Sequence, residues 1–124
     1  MSRLKNWQTP TIPERIIENQ ILTFLQLKRV WAWKVHRVGT YDAKKGVFRS
    51  PQSRFQIKGL PDIQGVIRGR ALFIEVKSKK GRLSIEQKDF GERAINEGAI
   101  WFVARSIEDV EKELKKLESQ KEGA

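Results

Sequence analysis

The chain of 124 residues contains no cysteine and a single histidine, His36. Disulfides, cysteine-based zinc sites, iron–sulfur clusters and thiol nucleophiles are therefore excluded. One histidine also rules out a histidine-rich metal site, and it leaves a Ser-His-Asp triad only if His36 supplies the base. A lone histidine in a strand is more often filler than ligand, and we assign it no role. Long apolar runs are missing as well: the longest uncharged apolar stretches, residues 71–74 and 99–104, fall far short of the about 18 residues that cross a bilayer. The basic N-terminal segment MSRLKNWQTP has no apolar core behind it and is not expected to be a secretory signal. A soluble, cytoplasmic protein is expected, with no membrane partner and no small-molecule cofactor. Acids are scarce too, 15 Asp and Glu against 25 Lys and Arg, for a formal charge of +10. Such a field attracts polyanions, and nucleic acid becomes the leading partner class. Carboxylate, lysine and glutamine chemistry are what remain for catalysis.

Hydrophobic residues at 39% and charged residues at 32% are enough for a folded core, and the length suits one domain over residues 1–124. Thr11-Ile12-Pro13-Glu14 has the pattern of a capping box with proline in the first turn, opening a helix to about residue 28. Ile17, Ile21, Leu22, Phe24 and Leu25 form its apolar arc, and Glu18 falls inside that arc. A carboxylate on a core-facing stripe costs free energy unless it is paired or binds a cation. Glu14 lies on the same side, where its place in the first turn suits a cap. Residues 30–38, rich in β-branched and aromatic side chains, form a strand by the same reading, and residues 62–67 and 72–77 form two more around a short Arg68-Gly69 turn. A helix starts at Ser84 and ends near Gly98, an apolar strand follows over 99–104, and a last helix starts at Ser106 with fraying expected over about 120–124. The order αβββαβα implies an α/β fold with a mixed sheet flanked by helices. The four tryptophans, Trp7, Trp31, Trp33 and Trp101, are expected in the core or at a dimer interface.

Between residues 39 and 58 the pattern lapses into a loop. From residue 37 to 58, Arg37, Lys44, Lys45, Arg49, Arg54 and Lys58 stand against one acid, Asp42, interleaved with Tyr41, Phe48 and Phe55. This is either a solvated basic loop or an arm that touches DNA through phosphate contacts and stacking. Lys79, Lys80 and Arg82 offer the same choice between a solvated turn and phosphate contact.

The hairpin register turns sequence into geometry. With Arg68-Gly69 at its turn, Asp62 pairs with Glu75, their Cβ atoms ~5 Å apart on one face. Like charges so placed repel, and a divalent cation would compensate them. Lys77 projects from the same face as Glu75, while Leu72, Ile74 and Val76 fill the other. Two hard carboxylates suit Mg²⁺ or Mn²⁺, which keep several waters and engage phosphate. The fitting chemistry is metal-assisted phosphodiester hydrolysis.

Gly59-Leu60-Pro61-Asp62, then twelve residues, then Glu75-Val76-Lys77, resembles the PD-(D/E)XK nuclease signature. IENQILTFL around Glu18, KGLPDIQG around Asp62, FIEVKSKKGRLSIEQKDF from Phe73 to Phe90 and the closing GAIWFVARSIEDV resemble the standalone, phage-type members of the VRR-NUC family. The resemblance implies a restriction-endonuclease-like core and a Mg²⁺- or Mn²⁺-dependent nuclease. It implies Glu18, Asp62 and Glu75 as metal-site acids with the Val76 carbonyl as a further ligand, Lys77 as the catalytic lysine, and Gln87 as the glutamine completing the site. It also implies a homodimer that resolves Holliday junctions, from a bacterial or phage-infected cell. The residues alone leave Gln87 a second role, as capping partner of Ser84, and leave flap or nick cleavage, or binding without cleavage, as alternatives.

Overall fold

The computed structural model describes residues 10–35, 40–42, 46–49 and 55–122, with backbone alone for 40–42, 47–49 and 121–122. Helix α1 spans Glu14–Leu27 and buries Ile17, Glu18, Ile21 and Leu25 on one stripe. The expected capping box does not form. Pro13 is the N-cap residue and no side chain caps the helix; its carbonyl accepts from the Ile16 and Ile17 N–H groups instead. The helix closes at Lys28, and Arg29 at φ 59° turns the chain into the sheet.

Four strands form the main sheet: β1 (Trp31–Lys34), then, after the small β2 (Thr40–Asp42) and β3 (Val47–Arg49), β4 (Ile63–Ile67), β5 (Arg70–Val76) and β6 (Ile100–Ala104). Their order is β1-β4-β5-β6, antiparallel except for the parallel β5–β6 pair. Helix α2 (Ile85–Asn96) makes the crossover between β5 and β6, and α3 (Ile107–Glu122) follows β6. The protein is thus α/β with a mixed sheet and three helices, in the expected order plus one hairpin. Part of the segment read as loop forms that hairpin, in which Thr40, Tyr41 and Asp42 pair with Arg49, Phe48 and Val47. β-Branched and aromatic residues on both sides of Gly46, at φ 64°, account for it. The first strand is shorter than expected, ending at Lys34, and His36 lies outside the described residues. Helix α3 runs to Glu122 where fraying was expected from about residue 120.

The β4–β5 register is the expected one: Ile63 pairs with Ile74 and Ile67 with Arg70. The turn residues Arg68 and Gly69 both have positive φ, 52° and 75°, the twist that joins two antiparallel strands tightly. One face of the sheet, from Ile63, Leu72, Ile74, Val76, Ile100 and Phe102, packs with Ile17, Ile21 and Leu25 of α1 and Val110 of α3 into the core. Each fully buried aliphatic side chain there contributes about 1.5–3 kcal/mol. On the opposite face α2 covers β5 and β6. Phe90 meets Phe73 edge to face with ring centroids 5.0 Å apart. A Cβ on Gly91 would lie 2.5 Å from the Trp101 indole, so the helix comes this close only with glycine at that position. Among the described residues, no helix lies over the β1–β4 half of this face. Trp31 is 70% exposed and Trp33 39%, so of the two expected places, core or dimer interface, these two do not take the core, because α2 stops short of them. Trp7 lies outside the described residues.

Candidate active site

The alternation of β5 sends Phe73 and Glu75 to the α2 side of the sheet and Leu72, Ile74 and Val76 to the core, and Lys77 follows directly after the strand. Glu75 is buried, 2% exposed. The segment before β4 brings Asp62 to it. Gly59, at φ 76°, crosses the start of α2 so closely that a Cβ would sit 2.2 Å from the Glu86 carbonyl oxygen. Buried Pro61 follows, and then Asp62, half-buried at the end of the sheet. The Asp62 carbonyl accepts from the Val35 N–H at 2.8 Å and its Oδ2 from the Val76 N–H at 3.1 Å, so one residue ties the ends of β1 and β5 together. Its carboxylate also stands close enough to Glu75 to raise that residue's carboxyl. The expected opposition of the two acids is present.

Gln87 reaches the pair from α2. Its Nε2 donates to Glu75 Oε1 at 3.0 Å. Its Oε1 accepts from the Ser84 N–H at 2.8 Å, while its own N–H donates to Ser84 Oγ at 3.1 Å. The cap and the site contact left open by sequence are both made, by the same side chain. Oε2 of Glu75 is buried without a partner. Burial first, and then the neighbouring Asp62 carboxylate, push the Glu75 carboxyl up to about 8, with Lys77 opposing the rise. The charged form is therefore costly here unless positive charge arrives.

Glu18 sits on the core-facing stripe of α1, 8% exposed. Lys34 Nζ lies 3.8 Å from its Oε1, an ion pair too long for a hydrogen bond, and that oxygen is otherwise unpartnered. Burial raises its carboxyl above the ordinary range, Lys34 lowers it, and Asp62 and Glu14 raise it further. Glu14 is the residue that sequence reasoning misplaced. It caps nothing, and its field raises both Glu18 and Glu75. Its Oε1 and the Cδ of Lys77 each lie 3.3 Å from where a Cβ on Gly81 would be. The signal was its spacing, one turn before Glu18 on the same side of the helix.

Lys77 is half-buried beside Glu75. Beyond it the chain turns through residues 78–81, where the Arg105 guanidinium donates from Nη1 to the carbonyls of Ser78 and Gly81. No sequence pattern announced Arg105. Of the residues read as DNA contacts, Lys79, Lys80 and Arg82 are exposed on and after this turn, close in sequence to Lys77. Lys58 is exposed beside the start of α2. Arg49 lies in β3 with only its backbone described, and Lys44, Lys45 and Arg54 lie outside the described residues.

The oxygen donors and the orphaned oxygens of Glu75 and Glu18 fit a hard divalent cation such as Mg²⁺. Among the described residues no three carboxylates stand together as a ready ligand set. Asp62 and Glu75 are paired, whereas Glu18 leans on Lys34. No helix among the described residues is long and apolar enough to cross a membrane. Neither the protein-family models nor the curated proteins contain a match to this chain.

Proposed function

We propose that this chain is a Mg²⁺- or Mn²⁺-dependent endonuclease that hydrolyses DNA phosphodiester bonds, built on a restriction-endonuclease-like core and acting in the cytoplasm as a Holliday-junction-resolving homodimer. One observation carries the reading: a buried Glu75 with an orphaned oxygen lies beside the Asp62 carboxylate at a sheet end, with Lys77 just past the end of the same strand and near enough to act on Glu75. In a protein with 25 cations and 15 acids, random pairing would give these acids cationic neighbours. Instead they neighbour one another, with Lys77 as the cation beside Glu75. The main-sheet order, helix then three antiparallel strands then helix and parallel strand, supports the core assignment.

Asp62, Glu75, Glu18 and the Val76 carbonyl would hold the cation, which when bound polarises the phosphate and makes its water more acidic. The protein's own groups do the rest. Gln87 fixes Glu75 through Oε1, leaving Oε2 for the site. The Val76 N–H fixes Asp62. Lys77 places positive charge on the face where a phosphate undergoing in-line attack accumulates negative charge. The net charge of +10 draws the polyanion, and Lys79, Lys80 and Arg82 flank its approach. Two centres related by a two-fold axis are what paired cuts in opposed strands require.

The test is cleavage of a labelled four-way junction beside a flap and a linear duplex, in Mg²⁺, in EDTA, and with Glu75→Ala. Paired junction cuts in Mg²⁺, reduced at least about 10³-fold by the substitution, are expected. Cuts confined to flaps would keep the chemistry and change the substrate. Binding without cutting in either metal would overturn the enzyme.

A further inference from the structure

Cross-strand register places Trp31 beside Val66 and Trp33 beside Gln64, all on the sheet face whose other half lies under α2. The two indoles touch, with ring centroids 5.2 Å apart and planes tilted by 59°. Trp31 at 70%, Trp33 at 39% and Val66 at 39% exposure make an open aromatic surface on the edge strand of the sheet. Leaving two adjacent tryptophans in water forgoes the burial that apolar surface favours, a cost out of place on a surface with no partner. The charges around it narrow the choice of partner. Lys28 and Arg29 form the turn that enters β1, and neither β1 nor β4 contains an acid, while Lys34 at the end of β1 lies on the other face, toward Glu18 of α1. Two copies of so basic a surface repel each other, whereas exposed aromatics set among cations are what unpaired bases of a nucleic acid recognise. Beyond Val66 the trough continues past Ala71 into a groove of about 730 Å³ against α2. Glu86, Asp89 and Glu97 line that groove together with Lys58, Arg70 and Arg93, so it offers no net positive charge, and the backbone of a bound strand belongs over the Lys28-Arg29 turn.

We propose that Trp31, backed by Trp33, is a stacking platform for an unpaired nucleobase. The strand also links this platform to the candidate active site. Trp33 of that strand stands across from Gln64, and Gln64 across from Phe73, which lies two residues from Glu75 on the same sheet face. Given the nuclease reading, on which this part rests, the platform holds an unpaired or unstacked nucleotide a short distance from the bond to be cut. It therefore selects DNA with single-stranded or branched character over continuous duplex.

The test uses the full chain in EDTA, where binding is separated from cleavage. Fluorescence anisotropy measures affinity for a labelled oligothymidylate and for a duplex of equal length, with the wild type, Trp31→Ala, Trp31→Phe and Trp33→Ala. Trp31→Ala is expected to weaken oligothymidylate binding roughly 5- to 150-fold, the weight of one stacked base, with a much smaller change on duplex. Trp31→Phe should retain most of the affinity, because a phenyl ring still stacks, and Trp33→Ala should lose less than Trp31→Ala. Equal losses on both DNAs, or no loss, would overturn the platform. So would a wild-type dimer that Trp31→Ala converts to monomer in sedimentation velocity, since the face would then belong to a second copy. A wild type that never cleaves in Mg²⁺ would sink the nuclease reading yet leave this binding result legible.

Discussion

At its turn the β4–β5 hairpin seats Arg68 on the Leu117 carbonyl and Arg70 on the Gly98 carbonyl, each at 2.8 Å. At its other end Asp62 stands against Glu75, with one buried carboxylate oxygen left without a partner. The turn end matches its charges to carbonyl acceptors and takes the backbone twist that a tight hairpin favours. The acid end sets like charges side by side in a buried place, which no requirement of folding explains. The contrast separates what holds the sheet together from what the sheet presents to a ligand, and it locates chemistry at the end where local rules are broken.

The sharpest way to expose the difference is to titrate it. The carboxyl of Glu75, faced by Asp62, Lys77 and Glu14 and bonded by Gln87, is pushed up to about 8. The folded chain therefore holds that proton more tightly than the unfolded chain. The resulting contribution to stability is fully present below the ordinary carboxyl value of 4.5 and is lost as pH rises through about 8. Thermal unfolding in EDTA should show Glu75→Gln gaining on the wild type across that window, by on the order of a few kcal/mol at its alkaline end. A pH-independent difference would mean that Glu75 is not held protonated by its surroundings.

Smaller effects come from the two roles of Gln87. Gln87→Ala removes the donor to Glu75 and should weaken Mn²⁺ binding, read by calorimetry, about 10- to 100-fold. Ser84→Ala removes the hydroxyl cap alone and should cost about 1 kcal/mol of stability with metal affinity unchanged. If both variants lose affinity equally, the glutamine acts only through the helix start. At the turn end, Gly69 has open space around its Cβ position and a φ of 75°. Gly69→Ala should therefore cost about 1 kcal/mol of backbone strain, seen in thermal unfolding, and leave Mn²⁺ binding untouched.

Much of this arrangement is legible in the residue order because it depends on local periods. The two-residue turn at Arg68-Gly69 sets the β4–β5 register, and with it the opposition of Asp62 and Glu75. The helical period puts Glu18 on the buried stripe of α1. Period two along β5 separates Phe73 and Glu75 from the core-facing Leu72, Ile74 and Val76. These are properties of a single element or of two joined by a tight turn, and the chain determines them without help from elsewhere.

Which faces are covered, and by what, is decided in three dimensions. Trp31 and Trp33 have the composition of core residues, but they are exposed because α2 is seated over Phe73 and Trp101 by Gly91 and leaves the β1 side open. Glu14 has the position of a cap, but Pro13 takes over the helix start and the carboxylate adds its field to Glu18 and Glu75 instead. Gly59 meets α2, and Arg105 meets residues 78–81, across separations that no period spans. Periodicity determines where a side chain points. Only the packing of distant elements determines whether it meets protein, water or an unbalanced charge.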